Sequence, residues 1–371
     1  MSEMKISNID KKRNYGIDCL RIVSMIMILI LHILGQGGVI ASAEYSSSKY
    51  WCLWLLETFA YCAVNCYALI SGYVSYKSKL KLSSLIKLTF TVLFYTILST
   101  VILSKFVDRN FSLGALFRIF IPFGFGNNPY WYFTAYFCLF FFQPYLNILI
   151  ENINRRQHKK MVLLSITLFS FLPFFMNMDL FNTLSGYSVI WLVQMYILGS
   201  YISKYNPMPN FKKTYWFFLY VVSVLAVWGL KLIFEINQDF ILDKIYGSEN
   251  FVTYTSPFIL LSGVSLLMLF SKINFNKGAC KIISFFAPMA FSVYLIHCAP
   301  LVWNFILKNR FSDIALNIPL LMLFVIATAV AIWLICSIID LIRIYLFKIL
   351  KTENLVLNLE KNVEKFLNKF L

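Results

Sequence analysis

The chain is predicted to be an all-α, polytopic membrane protein of about ten transmembrane helices with both termini in the cytoplasm. Three observations predict it. Only 13% of the 371 residues are charged and 60% are hydrophobic, whereas a soluble domain carries about 25% charged residues; the mean hydropathy is +0.72. Apolar runs of roughly 20 residues, the length that crosses a hydrocarbon core, recur along the chain. Lys and Arg also fall in alternate connections. Of 33, 24 gather at the N-terminus, in the even-numbered connections and at the C-terminus, against eight in the odd-numbered ones. That bias marks cytoplasmic loops. It also accounts for the net charge of +16 as short clusters at a membrane face, so nucleic acid is not an expected partner.

The spans read from run length are 15–35, 51–76, 84–105, 129–150, 161–177, 187–204, 214–233, 251–271, 282–307 and 316–349, forming one transmembrane domain over residues 1–350. Residues 351–371 repeat Leu355, Leu359, Val363, Phe366, Leu367 and Phe370 between lysines, the pattern of an amphipathic tail helix lying on the inner leaflet. The first span is too long and too polar for a cleavable signal peptide. The segment 111–128 is semi-apolar and too short to span, so it lies in the interface or dips into the membrane. Tyr130, Trp131 and Tyr132 open the fourth span, as an interfacial aromatic belt or as a stacking surface for sugar rings. Lys231 and Lys244 are placed in outer connections, and Glu235, Asp239, Asp243 and Glu249 in a solvated acidic loop. The eight cysteines lie mostly in apolar runs. Cys62 and Cys66 share a helical turn, but neither His nor carboxylate accompanies them, so packing is the reading and no metal site is expected.

The first span carries the informative polar groups. At about 100° per residue Asp18, Arg21 and His32 share one face, with Arg21 and His32 roughly 16 Å apart along the axis. A charge at the bilayer centre costs about 2.5–3.5 kcal/mol on insertion scales, so this face must meet protein or a wet cavity. Asp18 and Arg21, at i and i+3, can pair. By depth, His32, Glu57 of the second span and His297 of the ninth can share a level. Imidazole with carboxylate is the equipment for deprotonating a hydroxyl, the carboxylate fixing the tautomer. Buried, hydrogen-bonded packing histidines are the plainer alternative. His158, in a basic cytoplasmic loop, needs no special explanation. Lys77, Lys79, Lys81 and Lys87 lie on the same predicted side as Arg21, suited to anionic lipid or to a phosphate-bearing cosubstrate.

The run Ile17-Asp-x-Leu-Arg21 followed by His32 resembles the opening signature of the acyltransferase 3 family, bacterial integral-membrane O-acyltransferases of cell-envelope glycans. Ile70-Ser-Gly-Tyr73, Tyr130-Trp-Tyr132 with Pro144, and Phe291-Ser-x-Tyr-x-x-His297 extend the likeness over nearly the whole chain, in the form that lacks an attached extracellular esterase-like domain. The resemblance implies a multi-pass protein of the bacterial plasma membrane. It would move an acyl group, usually acetyl, from cytosolic acyl-CoA to a hydroxyl of an envelope polysaccharide or lipid-linked sugar.

In that reading acetyl-CoA is a cosubstrate and no cofactor is tightly bound. His32 is implied as the catalytic base, with Glu57 and His297 beside it. Asp18 and Arg21 support the acyl-CoA side with Lys81 and Lys87. Asn65, Tyr130, Trp131 and Tyr132 are candidates for oxyanion or acceptor contacts. Where the family often has Arg-x-x-Arg, this chain has Ser84 and Lys87; a lysine keeps the charge but loses the bidentate fork. The competing readings are a transporter or flippase for a lipid-linked sugar or small metabolite, with the polar groups lining its path, and a scaffold without chemistry.

Overall fold

A computed structural model of the chain describes residues 13–78, 81–106, 130–176, 178–237, 251–300 and 302–370, and these contain helices and turns but no strand. In chain order the helices are α1 (Tyr15–Leu34), α2 (Ser48–Tyr61), α3 (Ala63–Ser75), α4 (Leu82–Phe106), α5 (Trp131–Asn152), α6 (Arg155–Ile166), α7 (Val189–Tyr205), α8 (Lys213–Ile236), α9 (Pro257–Ser271), α10 (Lys277–Phe286), α11 (Ala290–His297), α12 (Ile318–Ile349) and α13 (Thr352–Phe370). Helix α6 continues through a π-helical turn, Thr167–Phe171, into Leu172–Met176. Eight helical stretches among the described residues are long and apolar enough to cross a membrane. Two more, α7 and α9, occupy the remaining expected spans but have only 17 and 15 residues.

Helix α1 is the hub, packing against α2, α3, α9, α10, α11 and α12. Its start is fixed by Asn14, whose side-chain oxygen accepts from the backbone N–H of Gly16 and Ile17, an N-cap that satisfies otherwise orphaned donors. The same amide donates to the Ser271 carbonyl at 3.1 Å, tying the cap to the end of α9. At the other end of α1 the loop beyond His32 is clamped. The carbonyls of Gln36 and Gly37 accept from the N–H groups of Asn309 and Phe311, each at 2.9 Å.

Close backbone approach sets the crossing of α3 with α7. A Cβ at Gly72 would lie 2.0 Å from the Tyr196 carbonyl oxygen, and one at Gly199 would lie 2.1 Å from that of Leu69. In a membrane, where apolar burial between helices gives little drive, small residues of this kind let packing hold the pair. The glycine of Ile70-Ser-Gly-Tyr73 therefore has a steric reason.

Several readings change. The ninth span is not one helix: Pro288 sits in a 3-10 turn between α10 and α11, and α11 ends at His297 shortly before Pro300. Proline supplies no N–H and clashes with the preceding turn, so hydropathy stays continuous where the helix does not. Lys231 and Glu235 are not in a solvated connection. They lie in α8, both buried and ion-paired, with the ammonium 3.8 Å from the Trp54 ring centroid and Tyr50 beside the carboxylate. An i, i+4 pair can be carried inside the bundle because each charge is satisfied by the other. His158 is not in a loop but buried on α6, its Nε2 3.2 Å from the Ile197 carbonyl and its ring against Tyr201 and Tyr205. The segment 111–128 and Asp239, Asp243, Lys244 and Glu249 lie outside the described residues.

Candidate active site

His32 is in the last turn of α1 and His297 is the last residue of α11, so the broken ninth span brings a helix terminus to the hub helix. His32 Nδ1 and His297 Nε2 are 2.9 Å apart. His297 Nδ1 lies 2.6 Å from the Val293 carbonyl oxygen, which can only accept, so that nitrogen carries a proton. In the neutral ring Nε2 is then an acceptor, and His32 must donate to it from Nδ1. His32 Nε2 is left with a free lone pair. The edge of Trp303 meets the His32 ring at 88° with centroids 4.7 Å apart, holding its plane. Gln36 donates to the Trp303 carbonyl at 3.2 Å, anchoring that tryptophan to the loop after α1.

Of this pair His32 opens onto a cavity of about 760 Å³, whose walls also include Glu57, Tyr67, Trp131, Tyr132 and Cys298. Leu184, Tyr187 and Tyr254 close another side, with Trp131 against the Tyr187 ring at a centroid distance of 4.6 Å. The size and mostly apolar, aromatic lining with a few polar groups are those of a small-molecule site. The loop bearing Leu184 and Tyr187 is held by Asp179, whose carboxylate accepts from the Thr183 hydroxyl and N–H and from the Leu184 N–H. Leu184, Ser185 and Gly186 there all have positive φ.

Glu57 is buried in the wall, and its Oε2 has no hydrogen-bond partner among the described residues. No hydrogen bond joins Glu57 to either histidine among the described residues; the partner of His32 is a second imidazole, where the sequence suggested a carboxylate. Asn65 is fully buried and bridges two chain segments, donating to the Tyr254 carbonyl at 2.8 Å and accepting from Trp191 Nε1 at 2.9 Å. It does not line the cavity. Neither does Tyr130, whose hydroxyl donates to the Leu295 carbonyl at 2.7 Å and ties α5 to α11. Trp131 and Tyr132 do.

At the N-terminal end of α1, buried Asp18 accepts from Arg13 Nε and Arg21 Nη1, each at 2.6 Å. The Arg21 carbonyl accepts from Tyr67, a cavity residue, at 2.7 Å. Lys87 instead pairs with Glu353 of α13 at 2.9 Å. Lys81 is exposed, and no hydrogen bond or ion pair joins either lysine to Arg21.

Cys298, Trp303, Tyr67 and Tyr187 were not singled out in the sequence. The first follows His297 directly and Tyr67 shares α3 with Asn65, but nothing local marks either as facing a cavity.

A hydrogen-bonded histidine pair beside a large aromatic chamber, inside a bundle of apolar helices, defines a polytopic membrane protein with a candidate small-molecule site. Residues 14–339 match the profile of an acyltransferase domain. That is most of the chain, and the chain belongs to the acyltransferase 3 family; it is a membrane acyltransferase. No curated protein and no solved structure matches the chain significantly.

Proposed function

We propose that this protein transfers an acyl group, acetyl by preference, from cytosolic acyl-CoA to a hydroxyl of an envelope polysaccharide or lipid-linked sugar, in the plasma membrane of a bacterium. The observation that carries the reading is the free Nε2 of His32, positioned by the His297 hydrogen bond and facing the chamber. Ten spans with cytosolic termini put Asp18 and Arg21 at the inner face and His32 toward the outer one. The acyl-CoA phosphates bind near Arg21, and the pantetheine arm runs past Tyr67 and Tyr132. The acceptor hydroxyl enters from the opposite side past the contacting rings of Trp131 and Tyr187, whose chamber-lining faces suit a sugar ring. His32 Nε2 takes the hydroxyl proton as the oxygen attacks the thioester carbonyl. The tetrahedral intermediate collapses with loss of the CoA thiolate, which takes up that proton. The positive charge that His32 carries in between is shared with His297 and the Val293 carbonyl. The Glu57 carboxyl, in the same chamber wall, holds a second acceptor hydroxyl. Lys87, paired with Glu353, contributes charge at the inner face only when that pair opens.

The test is His32→Ala, produced at wild-type level and monodisperse in detergent. Mass spectrometry of envelope glycans from cells carrying only this variant is expected to show loss of the ester. Unchanged ester removes the catalytic assignment. Purified wild-type protein that moves solute without consuming acyl-CoA would establish the transporter reading instead.

A further inference from the structure

One cluster offers chemistry that acyl transfer does not use. Cys298 Sγ lies 3.3 Å from His297 Nε2 and 3.8 Å from His32 Nδ1, and the two nitrogens are 2.9 Å apart. Bond lengths of about 2.0–2.1 Å to nitrogen and about 2.3 Å to sulfur at tetrahedral angles would set the donors roughly 3.3–3.6 Å apart. The observed separations therefore differ from those around a bound ion by only a few tenths of an ångström, and the two imidazoles need in addition to turn from each other toward a common point.

We propose that His32 Nδ1, His297 Nε2 and Cys298 Sγ form a binding site for a borderline-soft divalent metal ion of the zinc class, and that its occupancy blocks acyl transfer. Two imidazoles and one thiolate are a donor set that leaves zinc a fourth, open position. His32 and Cys298 both line the chamber, so that position faces it. His297 already has the support a metal-ligating histidine needs, its other nitrogen donating to the Val293 carbonyl. The second, independent observation is Glu57. Its Oε2 is buried, has no hydrogen-bond partner among the described residues and belongs to a residue lining the same chamber, an acidic group available to a ligand held there. On binding, the Cys298 thiol gives one proton to solvent, and the His32 proton moves from Nδ1 to Nε2; nothing is oxidised or reduced. His32 then presents an N–H to the chamber where the base needs a lone pair. The inhibition, though not the binding, rests on the acyltransfer mechanism above.

The full-length protein in detergent micelles, titrated with Co²⁺, is expected to develop a near-ultraviolet sulfur-to-cobalt charge-transfer band and four-coordinate visible bands at one equivalent, both displaced by Zn²⁺. Cys298→Ser should lose the charge-transfer band, and His297→Gln should weaken Co²⁺ binding at least tenfold. X-ray absorption on the zinc-loaded wild type should show one sulfur and two imidazole nitrogens, a measurement that needs no variant to fold. Absence of the bands, their persistence in both variants, or another ligand set in the absorption spectrum overturns the site. A protein that binds the metal as described, yet transfers no acyl group without it, overturns the functional reading and leaves the site standing. Metal binding that leaves acyl transfer unslowed overturns the inhibitory half of the proposal.

Discussion

An imidazole acts as a base only through a nitrogen with a free lone pair, and the hydrogen bonds around His32 select that nitrogen. Substituting His297 with Gln keeps an acceptor near His32 Nδ1 but cannot share the positive charge. We expect kcat to fall by about tenfold or more, less than the roughly 10²–10⁴-fold typical of losing the base itself, with KM for acyl-CoA unchanged. Steady-state kinetics in detergent check it, and a matching rise in KM would point to a packing role. At this scale the sequence was partly legible. The i, i+3 pairing of Asp18 with Arg21 and the shared face with His32 followed from helical spacing, and the depth of His297 suggested its neighbourhood. The identity of the His32 partner did not follow, since His and Glu of similar depth are equivalent until helix rotations are known. The cysteine 266 residues from His32 was invisible for the same reason. Lys231 and Glu235 looked solvated because a buried pair and an exposed one have the same spacing.

Elements place these residues, and two of them make predictions. Leucine at Gly72 would drive side-chain carbon into the backbone of α7, where the neighbour is a carbonyl that cannot step aside. Overpacking of this kind costs typically about 1–3 kcal/mol or more, so Gly72→Leu should lower the thermal transition and the yield of monodisperse protein. Gly229, with open space around its Cβ position, is the control, and Gly229→Leu should be tolerated. The loop after α6 gives a pH prediction. Burial raises the Asp179 carboxyl, but the hydrogen bonds from Thr183, Leu184 and Ser185 outweigh it and hold the group below its ordinary value. A carboxylate depressed in the folded state stabilises above its unfolded pKa of about 3.9 and loses that contribution as pH falls through the folded value. The loop should therefore be firm at neutral pH and loosen only in strong acid. Asp179→Ala should loosen it at every pH, raising KM for the acceptor while sparing that for acyl-CoA. Equal effects on both substrates would count against this loop as part of the acceptor side. Run length located the helices, because burial in lipid demands it. It could not show the break at Pro288, since proline interrupts hydrogen bonding without changing hydropathy. Nor could it show that α7 and α9 are short.

At the scale of the whole molecule, the alternation of basic segments predicts which face each loop occupies. In a cysteine-free background, a membrane-impermeant maleimide should label Lys308→Cys on intact cells and Thr352→Cys only after lysis. The reverse pattern would invert the proposed path of acyl-CoA. The arrangement around α1 also bears on how the protein is made. Helix α1 leaves the ribosome before α9, α10, α11 and α12, which later pack around it. Until they are synthesised, its histidine has no imidazole partner and its capping asparagine no carbonyl at Ser271. Quality control in the membrane thus has a natural target in chains that stop short of the last helices. Arrival of these later helices, more than the insertion of α1 itself, is the event that shelters the polar stripe.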